Sequence, residues 1–389
     1  MRIALVHDWL TGMRGGEYVL ESIAEVFPNS DLFTLIHIPG KVSAQLEALT
    51  IHTSWLQKLP DAENRYRFFL PLMPHAIRRF DLSGFDLILS SSHCVAKGVN
   101  KRKDAVHVSY IHAPMRYMWD RYDDYFGPGR ARLPVRVAAR ALRPAFRSWD
   151  FRTAQASKID LLIANSEFIA KSISQFYGRS AEVVHPFADL NRFKRVRRVG
   201  DFYLMVGAFA PNKRVDLAID AFNKLKLPLK IVGSGQEEQG LRAAAGPTIE
   251  FLGAIGNAAI ADLFSQAKAF IFPGKEDFGI TPLEAMAAGT PVVAFGEGGI
   301  RDTVLPDETG VFFDEQTVES LCAAVLRIET DLVRIDPDAC RRRAHEFSKE
   351  RFQREYLQAV KKAWSAAGKN IAELDDAVAS GMLHRDHSV

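Results

Sequence analysis

Cysteine is scarce in this chain of 389 residues: there are three, Cys94, Cys322 and Cys340, far apart and in no CxxC spacing. That pattern argues against a disulfide framework and a structural zinc site, and makes a reducing cytosol the expected compartment. Long apolar runs are lacking as well. None approaches the roughly 20 residues a membrane span needs, so any membrane contact is expected to be peripheral. The first residues, MRIALVHDWL, meet Asp8 after only a few apolar positions and read as a strand, not a signal peptide. The sequence shows no internal repeat and no low-complexity segment. Its only D-x-D is Asp336-Pro337-Asp338, beside an expected helix start where aspartate usually caps.

What is present is the composition of a soluble globular protein with real cores: 47% hydrophobic and 25% charged residues, in a length that suits two or three domains. The formal net charge of +3 hides a division. Residues 1–199 carry 29 Lys+Arg against 19 Asp+Glu, and residues 200–389 carry 21 against 28. A basic half is joined to an acidic half, and each is expected to have its own partners.

Short apolar, β-branched runs alternate with helical patterns through both halves. Strands are expected at Ile3–His7, Leu32–Ile38, Leu87–Ser90, Val106–Ile111, Leu161–Ala164 and Glu182–His185, then at Phe202–Val206, Leu229–Val232, Ile249–Leu252, Ala269–Phe272, Val292–Phe295 and Val311–Phe313. Helices separate them, among them Val215–Leu225, Ala258–Ala267 and Val318–Leu326. The alternation predicts α/β architecture with two doubly wound, Rossmann-like domains. Pro186–Gly200, polar and basic without a period, reads as the boundary. A last helical region, about Arg341–Trp364, is followed by a polar tail over 366–389.

In open α/β sheets, ligands bind outside the carboxyl ends of the strands, and three constellations stand there. His7-Asp8 precedes Gly12-Met13-Arg14-Gly15-Gly16-Glu17 and a helix, a loop that can bring backbone N–H groups to an anion or simply turn the chain. His112 follows a strand in Tyr110-Ile111-His112-Ala113-Pro114, where it serves either a ligand oxygen or nearby backbone groups. The densest runs from Phe272 to Gly289: Glu276 in a loop, Pro282 at the expected helix start, and Glu284 in the first turn. Thr281-x-x-Glu284 also matches a capping box, which would make Glu284 a structural residue.

The run EDFGITPLEAMAAG, Glu276 to Gly289, resembles the E-x7-E signature of the family four glycosyltransferases, which have the GT-B fold of two Rossmann-like domains facing across a cleft. Gly12–Gly16, His112-Ala113-Pro114, Ile163-Ala164-Asn165-Ser166, Lys213, Gly233-Ser234-Gly235 and Pro291-Val292-Val293-Ala294 extend the resemblance over nearly the whole chain. Within the family it most resembles bacterial mannosyltransferases of surface-polysaccharide assembly. The resemblance implies an acceptor-binding domain over 1–190, completed by a C-terminal helix about 350–365 that crosses back, and a nucleotide-sugar domain over 200–345. It implies that Glu276 contacts donor-sugar hydroxyls and Glu284 the ribose diol. Backbone amides of Phe278, Gly279, Ile280 and Thr281 would reach sugar and diphosphate. Lys213 would meet the diphosphate, Gly235 would lie in the donor loop and Gly16 near the phosphates, with His112 beside the sugar. Lys213, amides and a helix N-terminus suit the charge of a leaving diphosphate, so no cofactor and no metal ion is expected. One departure is Ala208 after Gly207, where the family commonly has arginine; Arg214 stands nearby as a replacement charge. Asp302 also stands where glutamate is commoner.

The basic half carries Arg132, Arg136, Arg140, Arg143 and Arg147 on one face of an expected helix, with Leu142, Phe146 and Trp149 giving an apolar side and Pro144 expected to kink or break it. Arg65–Phe80 mixes arginine with aromatic residues, Leu and Met. Such segments suit an anionic membrane surface or a lipid diphosphate acceptor, and equally an ordinary solvated face. The resulting expectation is a retaining glycosyltransferase that moves a hexose, mannose from GDP-mannose, to a lipid-linked glycan at the inner face of the cell membrane. Alternatives are a UDP- or ADP-sugar donor, a glycoside hydrolase using Glu276 and Glu284, and a nucleic-acid-binding protein built on the arginines.

Overall fold

The computed structural model describes residues 1–127, 129–193 and 197–383, and falls into two compact units, Met1–His185 with the chain from Phe352 onward, and Pro186–Arg351. The first holds strands β1 (Ile3–His7), β2 (Asp31–Thr34), β3 (Thr50–Thr53), β4 (Leu87–Ser92), β5 (Val106–Ile111), β6 (Leu161–Ala164) and β7 (Glu182–Val183) in one parallel sheet of order β3-β2-β1-β4-β5-β6-β7. The second holds β8 (Tyr203–Val206), β9 (Leu229–Val232), β10 (Ile249–Gly253), β11 (Phe270–Phe272), β12 (Val292–Phe295) and β13 (Gly310–Phe313), also parallel, in the order β10-β9-β8-β11-β12-β13.

Both sheets are doubly wound, and the central strands β1, β4 and β5 are buried along their whole length. That is why continuous apolar runs predicted them well. Edge strand β3 was missed because Thr50, Ile51, His52 and Thr53 are exposed or half-buried and do not form such a run. In each sheet the winding reverses once, between β1 and β4 and between β8 and β11. These reversals are the places where loops diverge and leave a crevice.

Three other expectations change. The last helical region is two helices, Pro337–His345 and Lys349–Ala366, parted where the Ser348 hydroxyl accepts the Arg351 backbone N–H at 3.2 Å. The segment read as a polar tail contains a helix, Ile371–Leu383, that buries Leu374 and Val378; its last six residues, 384–389, lie outside the described residues, as do 194–196 of the boundary segment. The Leu133–Thr153 helix runs unbroken through Pro144, an exposed position on the solvent side. Asp336 does cap its helix, accepting the Asp338 backbone N–H at 2.9 Å.

Candidate functional site

In the second unit the polar groups gather beyond β8 and β11, at the reversal. Lys213 sits in a short turn after β8, and its Nζ lies 2.9 Å from Glu276 Oε1 in the loop after β11. Asn212 Nδ2 donates to the same oxygen at 2.9 Å. The Glu276 backbone is held from behind: its carbonyl accepts the Gly299 N–H at 2.9 Å. A Cβ on Gly298 would stand 2.3 Å from that carbonyl oxygen, so only glycine fits. Gly235 has the same kind of reason: a Cβ there would lie 2.4 Å from the Phe209 carbonyl oxygen, where the loops after β8 and β9 press together.

Glu284 does not cap. Its helix, Ile280–Ala287, begins at Gly279 with φ +94° and no side-chain cap, which puts Pro282 third and Glu284 fifth in the helix. The Glu284 carboxylate instead meets Arg192 Nη2 at 2.8 Å. Burial pushes its pKa up to about 7 against the pull of that guanidinium. Arg192 comes from a turn, Leu190–Arg192, in the segment read only as a boundary. Phe278 buries its ring in the core near Phe347, leaving its backbone at the helix start. Arg214, in the left-handed conformation at φ 52°, turns its guanidinium to Asp216 at 3.1 Å; it does not join Lys213 and Glu276. Ala208 is exposed.

In the first unit the cluster lies at the reversal between β1 and β4. Asp8, fully buried, accepts four backbone N–H groups of the loop after β4: His93 at 2.7 Å, Cys94 at 3.0 Å, Val95 at 2.6 Å and Ala96 at 2.7 Å. Burial alone would raise its pKa, but His93, His7 and these donors hold it below the usual carboxylate value. His93 Nδ1 lies 3.1 Å from Asp8. His112 Nε2 meets Ser91 Oγ at 2.8 Å, and the same hydroxyl meets His7 Nδ1 at 3.1 Å. Burial takes the His112 pKa down to about 3, so its ring is neutral at physiological pH. Gly16, at the start of the Gly15–Val26 helix, places that helix end beside both rings: a Cβ there would meet His112 Nε2 at 3.6 Å and His7 Cε1 at 3.7 Å, an ordinary contact distance. Ser91, His93 and the part played by Asp8 were not anticipated. The signal available was Ser90-Ser91-Ser92-His93, a polar run ending a strand buried on both faces.

The arginine row divides. Arg143 donates to the Met118 and Trp119 carbonyls, both at 2.9 Å, and covers the Tyr122 ring at 4.2 Å; Arg147 covers Trp119 at 4.2 Å. Arg132 and Arg140 are exposed and Arg136 half-buried. Phe146 and Trp149 pack into the core, so the solvent side of the helix shows other apolar residues, Leu133 at 68% exposure, Val137 at 61% and Phe151 at 42%. Among Arg65–Phe80, Phe68 and Leu72 are exposed while Tyr66, Met73, Ala76 and Ile77 are core. Among the described residues no helix is long and apolar enough to cross a membrane.

Known proteins align with both units. The family model "Glycosyltransferase Family 4" matches residues 14–192, and "Glycosyl transferases group 1" matches 189–347. A GDP-mannose-dependent α-mannosyltransferase of Mycolicibacterium smegmatis is 38% identical over 125 residues, 32% of this chain and 33% of that one. A D-inositol 3-phosphate glycosyltransferase of Geodermatophilus obscurus is 29% identical over 264 residues, 59% of this chain and 57% of the other. The matches thus span a third to somewhat over half of these relatives' length. Among solved structures, HepE of Anabaena in complex with UDP and glucose superposes with a TM-score of 0.65 at 17% identity, over 92% of this chain and 98% of that one.

Proposed function

The chain belongs to the family 4 glycosyltransferases, with their GT-B fold of two Rossmann-like domains, and from that premise we propose that it transfers a hexose with retention, mannose from GDP-mannose, to a lipid-linked glycan of a surface polysaccharide. The observation that carries the donor site is the Lys213–Glu276 ion pair at the sheet reversal of the second unit. On this reading the diphosphate takes Lys213 and the backbone amides that open the Ile280–Ala287 helix, and Glu276, freed of its cation, accepts from sugar hydroxyls. Glu284, steadied by Arg192, accepts from the ribose diol. The fixed positive groups stabilise the leaving diphosphate, and no metal ion is required. The departing phosphate, on the face the acceptor attacks, helps remove the acceptor proton.

Mannose and guanine rest on the mannosyltransferase relative, whose similarity covers a third of its length. The UDP held by HepE favours a second reading, a UDP-sugar donor on the same residues. Acceptor binding belongs to the first unit on this proposal. The exposed Leu133, Val137 and Phe151, flanked by Arg132 and Arg140, suit an anionic lipid surface that would present a lipid-linked acceptor. The test is product analysis with GDP-mannose, UDP-glucose and ADP-glucose in the presence of a chelator. Nucleoside diphosphate release with an α-linked product from one donor supports the proposal. An inverted product, or dependence on added divalent cation, contradicts the corresponding part.

A further inference from the structure

Between the helix start at Gly15 and the strand ends lies a chain of polar groups that the donor chemistry does not use. Glu17 is fixed at one end, its Oε2 accepting the Arg14 backbone N–H at 3.1 Å. Its Oε1 faces His7 Nε2 at 3.9 Å, a buried ring nitrogen with no hydrogen-bond partner among the described residues. His7 Nδ1 meets Ser91 Oγ at 3.1 Å, and Ser91 Oγ meets His112 Nε2 at 2.8 Å.

We propose that Glu17, His7 and Ser91 are positioning residues that lock His112 in the tautomer protonated on Nε2, leaving Nδ1 as a fixed acceptor for a substrate hydroxyl. A buried nitrogen lone pair aimed at a carboxylate is repelled, whereas an N–H is attracted, so Glu17 places the His7 proton on Nε2. Burial would raise the Glu17 pKa, but His7 holds it below the ordinary value, which keeps the carboxylate charged. When His7 carries that single proton, its Nδ1 is bare and accepts the Ser91 O–H. The Ser91 oxygen, its proton already given, accepts the N–H of His112 Nε2. One proton lies in each link and all point toward Glu17. His112 Nδ1, which has no hydrogen bond among the described residues, is left as a lone pair, and the neutral ring keeps it so.

That a sugar or acceptor hydroxyl is the donor to Nδ1 rests on the transferase reading; the tautomer does not. The test is long-range proton–nitrogen NMR of the full chain labelled on histidine, with the His112 signals assigned by His112→Gln. The expected result is protonated Nε2 and bare Nδ1 for His112 without substrate. Ser91→Ala should mix the tautomers and lower kcat by about 10-fold or more with donor KM unchanged. Ser91→Thr should restore both, and Glu17→Gln should mix the tautomers with Ser91 intact. Protonation of His112 on Nδ1 in the unaltered chain, or a tautomer indifferent to both Ser91→Ala and Glu17→Gln, overturns the proposal. A locked tautomer in a chain that transfers no sugar would sustain the relay and count against the transferase reading alone.

Discussion

The two units carry polar groups at the same topological position, yet they use charge in opposite ways. In the second unit, Glu276 with Lys213 and Glu284 with Arg192 are pairs of partly exposed side chains, each able to exchange its partner for a ligand. In the first unit, the Asp8 carboxylate is wholly enclosed by four backbone N–H groups, and the Ser91 hydroxyl joins two imidazole rings. An exposed ion pair contributes little to stability and is free to serve binding, whereas a buried anion holds the fold around it. On the proposed reading, charge at the second unit's reversal serves ligands, while charge at the first unit's reversal holds shape.

The largest effect that would break this contrast is on transfer. Lys213→Ala and Glu276→Ala should each lower turnover by about 100-fold or more while the melting temperature stays near that of the unaltered chain. A large fall in melting temperature would make the pair structural. Asp8→Ala should do the reverse. It strands four backbone donors in the core and should cost about 3 kcal/mol or more in stability, measured by denaturant unfolding. A variant as stable as the unaltered chain would contradict that.

Glu284→Gln is expected to weaken nucleotide affinity by about 10-fold, the loss of a charge-assisted hydrogen bond. It should also remove a pH dependence. With the folded pKa raised to about 7, the carboxyl is protonated below that value and affinity should fall as pH drops through it. The folded chain also holds a proton there that the unfolded chain has released. This group's share of stability is thus present below the ordinary glutamate pKa and lost as pH rises toward about 7. Titration calorimetry across that range checks the first effect, and equal pH profiles for Glu284→Gln and the parent would refute it. The smallest effect concerns the exposed helix. Arg132→Glu with Arg140→Glu should reduce sedimentation with anionic vesicles and leave the melting temperature unchanged, since neither guanidinium is buried. Undiminished sedimentation would leave the surface a solvated face.

The second unit was the more legible in sequence. Lys213, Gly235 and the run Glu276–Glu284 are local in the chain, at loops that follow strands with continuous apolar runs. Two partners there are less legible: Arg192 comes from the boundary segment, and Asn212 stands beside the more conspicuous Lys213. Thr281-x-x-Glu284 is a false capping signal, because the chain enters this helix through a left-handed Gly279 and Glu284 falls two residues past the capping-box position. In the first unit His112 was visible as a strand-end residue. Its partners come from β1, β4 and the Gly15–Val26 helix, and no linear spacing links them. The arginine row had a sound helical period, but periodicity cannot tell a guanidinium stacked on Trp119 from one in water.

The most direct test of the central claim is the thermal-shift titration of the unaltered chain and Lys213→Ala with GDP, UDP and ADP. A ligand that binds only the folded state raises the midpoint, by an amount that grows with the logarithm of its concentration over Kd. A shift with GDP that is largely lost in Lys213→Ala is the expected result. No shift with any of the three nucleotides, or equal shifts in the two chains, would contradict it.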